Sequence, residues 1–149
     1  MGFNFRLTET HMNVAKEYAL LSRATRNKVG AILVDENNER PLACGYNGTP
    51  TKFDNTCEYI NKDGELVTRP EVIHAEANLI LFCAKHGIST KNKILYSTLA
   101  PCFECAKLIY SCGIQQVIYD EIYRCKDGLD FLLRVGVLVK HYKELKDNK

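Results

Sequence analysis

The order of apolar and polar positions predicts an alternation of helices and strands along the chain. Segments in which apolar residues recur every three or four positions are typical of amphipathic helices, whereas short continuous apolar runs are typical of buried strands. The strand–helix–strand order near the middle of the chain predicts a right-handed parallel crossover. The predicted helices span residues 8–21, 74–85, 102–111 and 129–135, and the predicted strands span 29–34, 42–46, 94–98, 116–119 and 137–141.

Together these elements predict an α/β fold with three layers, α-β-α, in which one mixed five-stranded sheet carries helices on both faces. The first two strands are joined by a short turn and are expected to form a hairpin. In such sheets, sites form at the carboxyl ends of strands, where the following helices begin. We expect one domain over residues 1–149, because this length suits a single hydrophobic core.

One helix cap and three polar segments complete the prediction. Thr8 or Thr10 is the expected cap of the first helix. Residues 22–28 form a basic connection that is either a solvated loop or an anion site. Residues 51–70 are predicted to be irregular, and a loop of that length is usually functional or mobile. Residues 143–149 are charged and expected to fray.

Composition excludes several classes of protein and leaves an ordinary globular domain. The apolar fraction is 46% and the charged fraction 26%, both typical of globular proteins. A net charge of +2 is too small to indicate nucleic-acid binding by itself. Seven cysteines cannot form a complete disulfide framework, which indicates a reducing compartment with metal-bound and free thiols. Neither a signal peptide nor a membrane span is predicted.

Three potential metal ligands lie at predicted helix starts. His74, Cys102 and Cys105 offer one imidazole and two thiols, a set that binds zinc and leaves the fourth tetrahedral position to water. Pro101 favours a helix start at Cys102, where backbone dipoles favour thiolate over thiol. Glu76 follows His74 by two positions, so the two side chains converge only at a helix end. Glu76 is then free to move protons.

Two other interpretations of these residues remain open at this point. The cysteine pair is also compatible with a closed structural zinc site or with a reactive pair of thiols. A closed site needs a fourth ligand, for which Cys57, Cys83 and Cys112 are candidates, but none has paired zinc-finger spacing. A glutamate beside the histidine ligand, Glu76, has no purpose in a closed site, which favours a catalytic one.

The zinc motif, the residues around it and three other segments carry a resemblance to a known family. His-x-Glu followed by Pro-Cys-x-x-Cys is the signature of the zinc nucleobase deaminases. From about residue 22 to residue 142 the chain resembles the deoxycytidylate (dCMP) deaminases of the cytidine and deoxycytidylate deaminase superfamily, and its compact length resembles phage or viral members. The segments that narrow the resemblance to this branch are 28–31, 45–48, 74–78 and 119–123.

The resemblance implies an activity and a role for each matching residue. It implies that dCMP is hydrolysed to dUMP and ammonia, which supplies dUMP for thymidylate synthesis. Glu76 is expected to take a proton from water, so that hydroxide attacks C4 of the ring, and then to protonate N3 and the leaving amine. Arg26 and Asn27 are expected near the phosphate, Asn47 at the deoxyribose and Tyr123 on the ring. The full expected substrate-binding set is Arg26, Asn27, Asn47, Ala75 and Tyr123.

The resemblance also implies partners and regulation. It implies a homohexamer in the cytoplasm (the host cytoplasm, for a viral protein), one catalytic Zn²⁺ per subunit, activation by dCTP with Mg²⁺ and inhibition by dTTP. Neither a membrane nor a nucleic acid is expected as a partner. A second, structural zinc is not expected, because Ala24 and Thr25 stand where some phage relatives have a cysteine pair. The expected effector residues are Lys28, Gly45, Tyr46, Asn47, Gly48 and Asn78.

Three rival functions share parts of this pattern. A deaminase of tRNA or single-stranded DNA has the same zinc chemistry but needs a basic, aromatic channel for flanking nucleotides. A deaminase of free cytidine or dCTP differs only in substrate contacts. A zinc-binding interaction module without activity would keep the ligands alone. Turnover on dCMP, dCTP, cytidine and an oligonucleotide separates all of these.

Overall fold

A computed structural model describes residues 4–149. The first three residues of the N-terminal segment, in which no signal peptide is predicted, lie outside the described residues. Helices and strands alternate through the described residues. The helices are α1 (Phe5–Ala19), α2 (Ala75–His86), α3 (Phe103–Ser111), α4 (Asp127–Arg134) and α5 (Tyr142–Asp147). The strands are β1 (Gly30–Val34), β2 (Pro41–Tyr46), β3 (Glu58–Ile60), β4 (Leu66–Thr68), β5 (Ile94–Leu99), β6 (Gln116–Glu121) and β7 (Leu138–His141).

The main sheet has five strands in the order β2-β1-β5-β6-β7. Strand β1 runs antiparallel to both β2 and β5, whereas β5, β6 and β7 run parallel to one another. The prediction of a mixed five-stranded sheet is therefore confirmed, as are the β1–β2 hairpin and the parallel pairing of β5 with β6 across α3. Predicted and observed boundaries of the confirmed elements differ by up to three residues, which is ordinary for element ends.

Helices cover both faces of this sheet, and each face has its own apolar cluster. On one face, Leu33 and Leu95 pack with residues of α2, α3 and α4. On the other face, Ile32 and Tyr96 pack with residues of α1 and the buried Tyr142. Successive side chains of a strand point to opposite faces, so strands covered on both sides are apolar throughout. This arrangement explains the continuous apolar runs and confirms the three-layer α-β-α architecture.

The prediction that residues 51–70 are irregular is wrong for part of that segment. Strands β3 and β4 form a separate antiparallel pair, with Glu58 opposite Thr68 and Ile60 opposite Leu66. Asn61 closes the turn between them, because its side-chain Oδ1 accepts hydrogen bonds from two backbone amides of the turn. Three-residue strands with mostly exposed side chains have no apolar period to detect, so their pairing is decided by backbone hydrogen bonds.

Two predictions about the chain ends are also wrong. Asn4 caps α1, since its Oδ1 accepts from the amides of Arg6 and Leu7. Thr8 is instead fully buried and hydrogen-bonded to the hydroxyl of Tyr96. Most of the segment expected to fray belongs to α5, which the buried Tyr142 anchors to the sheet. Among residues 4–149, no helix is both long and apolar enough to cross a bilayer.

Candidate active site

The predicted metal ligands lie where α2 and α3 begin, beside the carboxyl end of β5. His74 is the residue before α2 and Cys102 the residue before α3, and both have extended backbone conformations. Strand β5 ends at Leu99, only three residues before Cys102. Because each residue caps its helix from outside, its side chain is free to face the other helix start. The prediction that both segments open a helix at one end of the sheet is confirmed.

The three ligand atoms are spaced as zinc requires. His74 Nδ1 lies 3.4 Å from Cys102 Sγ and 3.5 Å from Cys105 Sγ, and all three ligand atoms fall within 4.8 Å of one another. Donor atoms on one tetrahedral zinc, with bonds of about 2.0–2.3 Å, lie roughly 3.5–3.8 Å apart. Within residues 4–149, no other histidine, cysteine or carboxylate joins this group. Cys57, Cys83 and Cys112 are therefore not ligands of a closed site.

The three side chains of this group shift one another's pKa values, as expected for closely spaced ligands. Hydrogen bonds from Cys105 and from His74 lower the pKa of the Cys102 thiol to about 4, against the effect of burial. The pKa of Cys105 is raised, because it gives its proton to the Cys102 sulfur and because it is buried. The Cys102 thiolate raises the pKa of His74 in turn. A divalent cation bound here would displace protons from these ligands, because it binds thiolates and a neutral imidazole.

Glu76 lies in the first turn of α2 and is buried beside the cluster. Its side chain is 4% exposed, and burial raises the pKa of its carboxyl group. Hydrogen bonds from Cys105 and Ser97 and the charge of His74 act in the opposite direction. Its position near the helix N-terminus also favours a negative charge. A carboxyl group under such opposing influences is suited to both accepting and releasing protons.

The cluster opens into a cavity of about 570 Å³. Every residue expected to bind substrate lines this cavity, so residues from four separate parts of the chain meet there. The cavity wall includes Arg26, Asn27, Asn47, His74, Ala75, Glu76, Cys102 and Tyr123. Cys105 is buried behind this wall, against Glu76. The roles assigned to these residues stay predictions, but their convergence in one cavity is an observed property of the fold.

Four further residues of this site were not found from the sequence. Arg124 adds a second cation to the cavity, and its guanidinium lies 5.7 Å from the ring centroid of Tyr123. Glu58 and Thr68 enter from the β3–β4 pair, which the apolar pattern does not reveal. Ser97 contacts Glu76 from within β5. The sequence contained one signal for Ser97, since a hydroxyl inside an apolar run needs a polar partner.

Asn47 supports the segment that leads into the cavity. Its Oδ1 accepts a hydrogen bond from the amide of Val29 at 2.9 Å, and its Nδ2 donates to the carbonyl of Asn27 at 2.8 Å. The Asn47 carbonyl accepts from the buried hydroxyl of Ser22. Asn47 therefore fixes the backbone at Asn27, whose side chain is expected to approach the phosphate.

Apart from Asn47, the expected effector residues lie outside this cavity. Gly45 packs against α2, since a Cβ there would lie 2.6 Å from the Ala75 carbonyl oxygen. Asn78 donates from Nδ2 to the carbonyl of Tyr46 at 2.8 Å, which ties the end of β2 to α2. Lys28 lines a second cavity of about 440 Å³. Close packing against α2 thus explains the glycine at position 45, whereas effector binding at these residues stays a prediction.

Comparison with known proteins gives consistent results for sequence and structure. The family model described as the cytidine and deoxycytidylate deaminase zinc-binding region matches residues 6–121. The deoxycytidylate deaminase of Enterobacteria phage T4 is 31% identical over 163 aligned residues, which cover 84% of this chain and 83% of that protein. A probable deoxycytidylate deaminase of Drosophila melanogaster is 44% identical over 100 residues, covering 62% of this chain and 48% of the fly protein.

Among solved structures, the chain is similar to the dCMP deaminase of the cyanophage S-TIM5, crystallised in complex with dCMP and dUMP. The TM-score is 0.85 at 38% sequence identity, and the match covers 94% of this chain and 99% of that one. A tRNA:A34 deaminase matches with a TM-score of 0.60 at 21% identity, which shows a shared fold alone.

Proposed function

Because the chain belongs to the cytidine and deoxycytidylate deaminase family, we propose that it is a hydrolytic deaminase that converts dCMP to dUMP and ammonia. One observation carries this proposal above the others. The buried carboxyl group of Glu76 lies beside a His–Cys–Cys cluster at the wall of a cavity that also contains two arginines. A proton-transfer group, a metal cluster and cationic side chains in one cavity suit a phosphorylated nucleoside.

The chemistry divides between the metal and the protein side chains. A zinc ion bound by His74, Cys102 and Cys105 would supply a Lewis acid that makes water acidic enough to ionise near neutral pH. Glu76 accepts the proton that water loses as hydroxide adds to C4 of the cytosine ring, and passes it to N3. Glu76 then takes the remaining proton of the C4 hydroxyl group and delivers it to the amino nitrogen, the C4–N4 bond breaks and ammonia leaves. Water and dCMP are consumed and dUMP and ammonia are formed, so the reaction balances.

The cavity wall offers contacts for each part of the substrate. We assign the phosphate to the cationic side chains of the cavity wall, Arg26 and Arg124, together with Asn27. Asn47, which also lines the cavity, is assigned to the deoxyribose. The ring of Tyr123 packs on the pyrimidine, which enters between it and Ala75. The polar contacts fix the orientation of the ring relative to Glu76.

A substrate panel tests the proposal directly. Ammonia release is measured with dCMP, dCTP, cytidine, deoxycytidine and a cytosine-containing oligonucleotide, using the zinc-loaded protein. We expect dCMP to have the highest kcat/KM, with deoxycytidine at least about tenfold lower, since a charge-assisted phosphate contact contributes about 1.5–3 kcal/mol. A preference for the oligonucleotide or for cytidine would replace the proposed substrate, and zinc binding without turnover would favour an interaction module.

We further propose that dCTP with Mg²⁺ activates the enzyme, that dTTP inhibits it, and that the subunits form a homohexamer. The Tyr46–Asn78 hydrogen bond supports a link between residues 45–48 and α2, which carries Glu76. Exposed apolar side chains on α2 and α3, Leu81, Phe82 and Leu108, support subunit contacts. Effectors act by binding two states unequally, with typical couplings of about 1–3 kcal/mol.

Two measurements test this regulation. Turnover is measured against dCMP concentration alone, with dCTP and Mg²⁺, and with dTTP, and the mass in solution is measured by light scattering. We expect sigmoidal curves that dCTP shifts to lower and dTTP to higher substrate concentration. Hyperbolic curves that neither triphosphate moves would reject the regulation, and a monomeric mass would reject the hexamer. Neither result would affect the proposed deamination of dCMP.

A further inference from the structure

The hydroxyl of Ser97 lies against the carboxyl group of Glu76. Ser97 is in β5 and is fully buried. Its Oγ lies 3.1 Å from Glu76 Oε1 and 2.7 Å from the carbonyl oxygen of Leu99. Glu76 and Ser97 are thus in contact across the junction of α2 with the sheet. Cys105, one of the three cluster residues, also lies close enough to influence this carboxyl group.

A hydroxyl at this position needs an explanation beyond packing. Ser97 lies on the same face of β5 as Leu95, which belongs to the apolar cluster beneath α2 and α3. An apolar side chain of similar size would pack there without any polar requirement, whereas a buried hydroxyl is unfavourable unless it is hydrogen-bonded. The partners of the Ser97 hydroxyl are a backbone carbonyl and the carboxyl group assigned to proton transfer.

The two contacts of Ser97 fix one oxygen of the Glu76 carboxyl group. A serine hydroxyl carries one proton and two lone pairs, so it can bond to two partners. The contact with the Leu99 carbonyl holds Ser97 Oγ in place, 3.1 Å from Glu76 Oε1. Because both contacts come from β5, Ser97 ties the Glu76 carboxyl group to the sheet.

We propose that Ser97 is a positioning residue for Glu76, holding Oε1 in place so that the second carboxyl oxygen faces the cluster and the cavity. This inference deepens the proposed function and rests on it, because it requires that Glu76 moves protons. Orientation of an acid–base group affects the rate of the chemical step, whereas substrate contacts elsewhere in the cavity are unchanged. Loss of the hydroxyl should therefore lower kcat and leave KM nearly constant.

The primary experiment compares Ser97→Ala with Ser97→Thr in the zinc-loaded protein. We expect kcat for dCMP to fall roughly 10- to 150-fold in Ser97→Ala, the range for loss of one hydrogen bond to a charged group. KM, zinc content and dUMP affinity measured by calorimetry should stay within about twofold, since no substrate contact is lost. Ser97→Thr keeps a hydroxyl and should recover most of the activity.

A matched control separates positioning from loss of a buried hydroxyl. Thr98 is the next residue of β5 and is also buried, and its side chain lies on the face of the sheet opposite to that of Ser97. Its hydroxyl accepts a hydrogen bond from the Gly30 amide. Thr98→Val should lower thermal stability and leave kcat unchanged. Wild-type kcat in Ser97→Ala would overturn the inference. Equal losses of kcat in Ser97→Ala and Ser97→Thr would assign the effect to packing and would also overturn the inference. A loss of kcat in proportion to a loss of zinc would overturn it as well, because the effect would then come from the metal site.

A double-mutant comparison distinguishes failure of this inference from failure of the proposed function. If Ser97 acts through Glu76, adding Ser97→Ala to Glu76→Gln should change the residual turnover less than twofold. A full additional loss in the double variant would overturn the inference while leaving the role of Glu76 intact. Near wild-type turnover in Glu76→Gln alone would instead reject the proposed mechanism itself.

Discussion

The carboxylate of Glu58 accepts a hydrogen bond from the backbone amide of Thr25 at 2.8 Å. The same oxygen accepts from the amide of Arg26 at 3.1 Å, and the Arg26 guanidinium reaches the hydroxyl of Thr68. These hydrogen bonds connect the β3–β4 pair to the segment that carries Arg26, the arginine assigned to the phosphate. Residues separated by more than thirty positions in sequence fix the backbone at one side of the cavity.

Replacing Glu58 should weaken recognition of the phosphate more than the chemical step. In Glu58→Gln the charge that holds two amides is lost, so we expect KM for dCMP to rise about three- to tenfold, the effect of one or two weakened hydrogen bonds. KM for deoxycytidine, which has no phosphate, should be unchanged. Glu65→Gln is the matched control, because Glu65 is exposed and bonds only within the β3–β4 turn. Equal changes in KM for both substrates would contradict this role.

The same carboxylate predicts a pH dependence of stability. Burial raises the pKa of Glu58, but the amides of Arg26 and Thr25 outweigh it, so the pKa lies below its ordinary value of 4.5. A lowered folded-state pKa gives stability that is present above the unfolded pKa and is lost as pH falls through the folded one. Thermal denaturation should show a constant stability difference between wild type and Glu58→Gln above about pH 5.5, shrinking towards pH 3. A difference that grows on acidification would contradict this assignment.

The cluster residues should determine the zinc content of the purified protein. We expect near-stoichiometric zinc in the wild type and loss of most of it in Cys102→Ala and Cys105→Ala, because two remaining ligands bind zinc weakly. Cys125→Ala is the control, since Cys125 is exposed and outside the cluster. The zinc content of the four proteins is measured by metal analysis. Full zinc occupancy in both cluster variants would show that the zinc lies elsewhere.

Glu76 should be required for turnover and not for metal binding. Glu76→Gln keeps the side-chain shape and removes the base, so we expect kcat to fall by about 10²–10⁴-fold with zinc and dUMP binding retained. Glu104→Gln is a suitable control, because Glu104 is exposed on α3 and pairs with Lys107. Loss of zinc from Glu76→Gln would identify Glu76 as a ligand instead.

Tyr123 should contribute ring contacts without contributing much to stability. It is half-buried at the cavity wall, so Tyr123→Ala removes little core packing. We expect KM for dCMP to rise about tenfold, since aromatic contacts contribute about 0.5–1.5 kcal/mol beyond area burial. Tyr123→Phe keeps the ring and should remain near wild type. A large drop in melting temperature with unchanged KM would identify Tyr123 as a core residue.

The parts of this protein that depend on short-range signals could be predicted from the amino-acid sequence alone. The apolar periods of β5, α3 and β6 indicated a parallel crossover, because buried strands and helices have different periods whatever they pack against. Pro101 and the helical periods that follow His74 and Cys102 placed three ligands at helix starts. The ligand types then indicated zinc, since metal preference is a property of the donor atoms themselves.

The tertiary structure decided the contacts between residues that carry no such local signal. The β3–β4 pair is held by backbone hydrogen bonds, which every residue type except proline can form, so its sequence shows little. Glu58 finds the Thr25 amide, and Ser97 finds Glu76, only after the sheet brings distant segments together. A carboxylate or hydroxyl in the sequence needs a hydrogen-bond partner if it becomes buried. Which partner it finds depends on the three-dimensional arrangement, because hydrogen bonds act only over about 3 Å.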